Sequence, residues 1–152
     1  MKLTLFTDYS MRTLLYLGAR PDRLCSISEV AQAYRISQNH LMKVVNQLAR
    51  SGHVESVRGR SGGIRLGRPP EEINIGALVR ETEDGFDLVD CGSCVVAPAC
   101  GLTGVLQEAL AAFLAVLDRY TLADLLTRRR DLAWLFDRSA GADLDVVGVP
   151  GP

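Results

Sequence analysis

The sequence predicts a mainly α-helical chain with one small β-hairpin and a long apolar helix towards its C-terminal end. Three observations carry this. Apolar residues recur at helical period through most of the first fifty positions; a basic, glycine-rich turn between two short β-prone runs follows; and the only charge in Leu102–Leu117 is Glu108. The 152 residues allow one domain with an appended helix, and 47 % of them are apolar, enough for a core. With 23 % charged residues, whole-chain disorder is excluded.

The elements follow in order. Thr7 is placed to cap a first helix carrying Met11, Leu14, Leu15 and Leu17, which ends near Ala19 because Pro21 cannot continue it. Ser26-Ile27-Ser28-Glu29 is a capping box, in which serine and glutamate satisfy each other's orphan amides and open a second helix. Ser37 can cap a third, where Leu41, Val44, Val45 and Leu48 mark a half-buried face and Gly52 ends the run. His53–Val57 and Ile64–Leu66 then flank the Arg58–Gly63 turn as a hairpin, closed by Pro69-Pro70. Asn74 can cap a short helix over Ile75–Glu83, and a loop follows over Asp84–Ala99. The long helix runs from Gly101 to about Arg119, and Thr121-Leu122-Ala123-Asp124 starts a shorter one. A frayed tail is expected after Asp137, where the chain turns small, acidic and Pro-Gly-rich. The division is therefore 1–83, 84–100, 101–136 and a tail over 137–152.

The formal charge of −1 hides a split. Residues 1–68 hold eleven Lys and Arg against four acids, a charge of +7, which leaves −8 for the remainder. A basic half of this kind suits a polyanionic partner. The longest apolar run, Ala109–Leu117, is nine residues, far below the ~20 that span a bilayer. No apolar stretch follows Met1-Lys2 as an export signal would require, so a cytoplasmic protein with reduced cysteines is expected.

Two short helices, the second with a polar outer face, followed by a basic glycine-tipped hairpin, form the pattern of a winged helix-turn-helix DNA-binding domain. The N-terminal end of the third helix suits the major groove, where Gln38 and Asn39 can read base edges. The candidate DNA contacts are Ser28, Ser37, Gln38, Asn39, His40, Lys43 and Arg50 on the helices, with Arg58, Arg60 and Arg65 on the hairpin. Seven positive charges between Arg35 and Arg68 stand against Glu55 alone. Gly59–Gly63 lacks the strand–loop–helix setting and the Lys-Ser/Thr ending of a nucleotide-cradling loop. His40 and His53, the only histidines, both fall in the DNA-reading region, so acid–base catalysis is not expected.

Cys91, Cys94 and Cys100 form C-x2-C-x5-C, a metal signature more than a redox pair. Three thiolates suit an iron–sulfur cluster or zinc, with reactive thiols as the third reading, and a closed site needs a fourth ligand. Cys25, His40, His53 and Asp8 are the candidates. Cys25, just before a helix cap, reads more simply as a core residue. The seam Leu102, Val105, Leu106, Ala109, Phe113, Val116 and Leu117 exceeds what one terminal helix can bury alone, so the long helix is expected to form a homodimer.

Phe6-Thr7-Asp8-Tyr9, Arg35–Leu41, Val45-Asn46-Gln47-Leu48, the Val57–Gly67 stretch, the three cysteines with Ala97-Pro98-Ala99, and Tyr120–Leu125 together resemble the iron–sulfur winged helix-turn-helix regulators, most closely their nitric-oxide-sensing branch. The resemblance runs from residue 1 to about 126 with its motifs in order. It implies a homodimeric repressor on a palindromic double-stranded operator, controlling nitric-oxide detoxification genes, with nitrosylation ending repression. It also implies a cluster held by Cys91, Cys94 and Cys100, 4Fe–4S in preference to 2Fe–2S, with Asp8 of the partner subunit as fourth ligand. The x2 spacing of the first two cysteines is shorter than is common among such regulators. The branch controlling cluster assembly carries a histidine three residues after the last cysteine, where this chain has Thr103.

Overall fold

The computed structural model describes residues 2–141. Its elements are α1 (Leu5–Ala19), α2 (Ile27–Tyr34), α3 (Gln38–Arg50), β1 (Val54–Val57), β2 (Gly63–Leu66), α4 (Ile75–Thr82), α5 (Leu102–Leu117), α6 (Leu122–Leu125) and α7 (Arg129–Gly141). Short 3-10 turns cover Pro70–Glu72 and Ala97–Ala99. The chain is thus mainly helical with one antiparallel hairpin, as expected.

α1 runs through the middle and packs on α2, α3, α4, α6, α7 and β2. Its start differs from the expectation. Thr4, not Thr7, is the cap, and its hydroxyl accepts the Thr7 amide at 3.3 Å. Glu83 explains the earlier start by accepting both the Thr4 amide (2.8 Å) and its hydroxyl (3.0 Å). That partner lies 79 residues away, so no local pattern reveals it.

The α2 box forms as expected, with Glu29 and Ser26 bonded reciprocally. Arg35 then takes a left-handed conformation (φ 54°), and the Ile36 amide donates to Ala31 at 2.9 Å, making the turn into α3. Leu41, Val44, Val45 and Leu48 all point into the core. Leu48 is wholly enclosed, so Leu48→Ala is expected to cost about 2–5 kcal/mol. A urea melt measures it, and a loss below about 1 kcal/mol would contradict this packing.

The hairpin pairs Val54 with Leu66, Glu55 with Arg65, Ser56 with Ile64 and Val57 with Gly63. Its tip needs glycine twice. Gly59 has φ +110°, and a Cβ on Gly62 would lie 2.2 Å from the Val57 carbonyl. Cys25 forms an isolated bridge to Ile64, exchanging bonds of 2.9 and 2.8 Å, and so lengthens the hairpin's inner edge.

α7 corrects the expected tail. The helix continues past Asp137 to Gly141 and packs on α1 and α2. Phe136 sits 5.0 Å from the Tyr16 ring and 5.2 Å from Tyr34, Arg20 pairs with Asp137, and the Ser139 hydroxyl donates to Phe136 O at 2.9 Å. An aromatic cluster therefore anchors a segment whose composition looks like an end. The rest of the expected tail, from residue 142 on, lies outside the described residues.

α5 is the exception to this packing. None of its sixteen residues is buried, although twelve are apolar, and its main contact within the chain is with α4.

Candidate nucleic-acid interface and cysteine site

α3 presents its outer face at the N-terminal end. Ser37, Gln38, Asn39, His40 and Lys43 are exposed, and the Ser37 hydroxyl makes no cap bond to the helix, leaving it open for another partner. Arg50 is exposed at the far end of the helix, twelve residues and about 18 Å away, and does not join this group. Ser28 is half-buried in the first turn of α2. Arg58 and Arg60 are exposed at the hairpin tip without an ion pair among the described residues.

Two basic residues are occupied elsewhere. Arg65 donates to Glu55 at 2.8 Å, directly across the hairpin, which holds the Glu55 carboxyl below its usual range. Arg68 donates to Ser51 O at 2.6 Å and Gly52 O at 3.2 Å, stitching the end of α3 to the exit of the hairpin. Neither the register that pairs Arg65 with Glu55 nor the role of Arg68 was read from the sequence, which counted both arginines among the basic residues of this half.

A duplex partner makes these differences measurable. Asn39→Ala is expected to cost about 1–3 kcal/mol against the preferred operator and to relax its specificity. Arg58→Ala should weaken all duplexes alike and lower the slope of log affinity against log salt by about one. Anisotropy titrations across a salt series separate the two, and equal effects on both readouts would contradict the assignment.

The cysteine loop lies between α4 and α5. Cys94 is exposed, and Cys91 and Cys100 are half-buried. Successive turns order it: the Cys94 amide donates to Cys91 O, Ala97 to Cys94 O, and Cys100 to Ala97 O. The Cys91 Sγ lies 3.5 Å from the Thr103 hydroxyl. An open cleft of about 640 Å³ adjoins Cys91 between the loop and α5. Among the described residues no three His, Cys, Asp or Glu side chains converge as a metal site. The donor set, three free and accessible thiols within ten residues, suits a thiophilic metal group. Convergence then requires the loop to close and a further donor to arrive.

The other ligand candidates are placed differently. Cys25 is buried, and burial pushes its thiol up. His53 is buried against Glu81 at 2.9 Å. His40 stands on the outer face of α3. Asp8 sits in the first turn of α1, where the helix dipole favours a carboxylate, and accepts from Arg12 at 2.8 Å. Its turn also supplies Leu5, Phe6 and Tyr9 to a small apolar cleft shared with His40, Lys43 and Val44 of α3.

Sequence reasoning missed the last turn of α4. Arg80 forms a two-pronged pair with Asp118, just after α5. Glu81 bonds His53 between α3 and the hairpin, and Glu83 bonds Thr4 ahead of α1. Burial alone would raise Glu81 and Glu83. Hydrogen bonds from Ser51 and His53 hold Glu81 below the usual carboxylate range, and those from Thr7 and Thr4 do the same for Glu83. The cysteine loop begins at the next residue, Asp84.

The exposed polar face of α3 beside a basic hairpin defines the class, a winged helix-turn-helix protein, and no helix among the described residues is long and apolar enough to cross a membrane. The match is specific. Residues 3–128 fit the model of the Rrf2 family, described as iron-dependent transcriptional regulators, and the chain belongs to that family. It is 55 % identical over 138 residues to the HTH-type transcriptional regulator NsrR of Bacillus subtilis, covering 87 % of this chain and 94 % of that one. Among solved structures it resembles T. potens IscR (TM-score 0.69, 26 % identity, 84 % of this chain and 88 % of that one). It also resembles CymR, the global cysteine regulator of B. subtilis (TM-score 0.66, 26 % identity, 84 % and 98 %). It is a regulator of transcription, not an enzyme.

Proposed function

We propose that the protein is a homodimeric, iron–sulfur-dependent repressor that responds to nitric oxide and controls nitric-oxide detoxification genes in the cytoplasm. The observation that carries this is the joining of three accessible thiols to a DNA-reading unit through one helical turn. The similarity to NsrR supports the signal, and the iron-dependent family supports the metal.

Cys91, Cys94 and Cys100 would hold the cluster, 4Fe–4S in preference to 2Fe–2S, with Asp8 of the partner subunit as the fourth donor. When bound, the group supplies iron that reacts with nitric oxide, and a carboxylate ligand is more readily displaced there than a thiolate. The residues of the chain do the rest. Asp8 would give up or share its Arg12 bond to reach the partner's loop, fixing the first turn of α1 and, through Phe6 and Tyr9, its contact with α3. Glu83 and Glu81 pass the position of the loop to the start of α1 and to the junction of α3 with the hairpin. Two copies paired along α5 would set the reading helices about one DNA turn apart, as a palindrome requires.

Gln38, Asn39, His40 and Lys43 would enter the major groove, with Ser28, Ser37 and Arg50 on flanking phosphates. Arg58 and Arg60 would reach the backbone or minor groove, joined by Arg65 once it leaves Glu55. The direct test is the composition of protein purified without oxygen. Iron and acid-labile sulfide in near-equal amounts, with visible charge-transfer absorption, are expected. Stoichiometric zinc without sulfide, in colourless protein, would overturn the reading.

A further inference from the structure

Thr103 stands three residues after the last cysteine and is neither a thiol ligand nor a DNA contact. It lies half-buried in the first turn of α5, on the wall of the cleft of about 640 Å³ that Cys91 also lines. A serine or threonine inside a helix commonly returns its hydroxyl to the carbonyl four residues back. Ser10 donates to Phe6 O at 2.8 Å in this way, Thr13 to Tyr9 O at 2.7 Å and Thr82 to Leu78 O at 2.8 Å. Thr103 departs from them. Its one side-chain hydrogen bond among the described residues is the 3.5 Å contact with the Cys91 Sγ, made across twelve positions of sequence.

We propose that Thr103 is a positioning residue for the metal group: its hydroxyl clasps the Cys91 sulfur to the first turn of α5 and donates to it once it is a bound thiolate. The inference rests on the proposed reading of Cys91, Cys94 and Cys100 as the ligands. Two of the three thiols are then held at one helix end before any metal arrives. Cys100 is there by sequence, two residues ahead of Leu102, and Cys91 is there through Thr103. Cys94, exposed and three residues beyond Cys91, is the one left to swing in. Fixing the start of the loop in advance leaves less of the chain to order when it closes.

The direction of the bond follows from the charge on the ligand. A neutral thiol and a hydroxyl can each donate to the other, but a thiolate has no proton, so the threonine hydroxyl is then the donor. A donor to a ligating sulfur fixes its orientation and draws charge from it, which raises the potential of an iron–sulfur group. Partners of this kind typically contribute about 10–100-fold to metal affinity.

The test compares two variants of the full-length protein: Thr103→Val, which keeps the branched shape and loses the hydroxyl, and Thr103→Ser, which keeps the hydroxyl. Zn(II) alone is titrated into the reduced, metal-free chain against a chromophoric chelator, and the reduction potential is measured on iron-loaded protein. Zinc affinity weakened about tenfold in T103V and within about twofold of the unsubstituted chain in T103S is expected, with the potential lowered in T103V alone. The side chain is only half-buried, so the metal-free forms should melt together. Unchanged zinc affinity in T103V overturns the proposal. Equal loss in both variants overturns it too, since that marks a packing role, as does an unsubstituted chain that takes up no zinc. The zinc arm needs no iron and decides the role of Thr103 whatever metal the protein carries. Iron-loaded protein whose T103V form keeps its zinc affinity would remove the clasp and leave the cluster reading standing.

Discussion

Replacing Cys94 or Cys100 by alanine is expected to reduce bound iron to background and to weaken operator binding at least tenfold, about 1.4 kcal/mol. The reason is ligand arithmetic: with three thiols in one loop and one donor to come from outside it, removing any thiol leaves too few to hold the metal. Cys25→Ala supplies the contrast. Cys25 is buried beside β2 in a backbone bridge, so its loss should lower stability by about 1 kcal/mol and leave iron untouched. Iron analysis, a thermal melt and an anisotropy titration on the same anaerobic samples check all three. Retained iron in C94A or C100A would contradict the ligand assignment.

The second large effect concerns α5. Val105→Asp is expected to convert the proposed α5-paired dimer to monomer at micromolar concentration without unfolding it. Leu102, Val105 and Val116 stand 54, 62 and 45 % exposed in the single chain, and of the α5 residues only Leu117 packs, partly buried, against the core. A two-fold interface receives any substitution twice, so one aspartate places two charges in an apolar contact. Folding stability of the monomer should change by less than about 1 kcal/mol, because Val105 is solvated there already. Operator affinity should fall by about 10²-fold or more as the two half-sites lose their linkage. Sedimentation and anisotropy measure these together. A variant that stays dimeric would show that α5 is not the pairing surface.

Local chemistry made much of the molecule legible in the sequence. The period of Leu41, Val44, Val45 and Leu48 predicts the reading helix, the Ser26–Glu29 pair predicts α2, and Asn74 caps α4 as expected by accepting the Ala77 amide at 2.9 Å. The glycines of the hairpin tip signal a turn because the backbone needs them there. What escaped depends on distant partners. Thr4 caps α1 because Glu83 holds it, and the end of α7 is ordered because Phe136 meets Tyr16 and Tyr34. Arg68 reads as one more positive charge until its carbonyl partners are seen.

The cysteine site was legible in type but not in shape. C-x2-C-x5-C announces a metal, yet the three thiols do not converge within one chain. In the proposed reading their completion falls to loop closure and to a second subunit, neither of which one chain's spacing encodes. The bonds of Arg80, Glu81 and Glu83 were invisible for the same reason, since each residue answers a partner from another element.

The most direct test is operator binding under anaerobic conditions, followed by anisotropy while nitric oxide is added in steps. The duplex is a palindromic promoter fragment that the iron-loaded protein itself selects from genomic DNA. Tight binding by iron-loaded protein, release by a few equivalents of nitric oxide, and weak binding by metal-free protein are the predicted results. Equal binding by the loaded and metal-free forms, with no response to nitric oxide, would contradict the account.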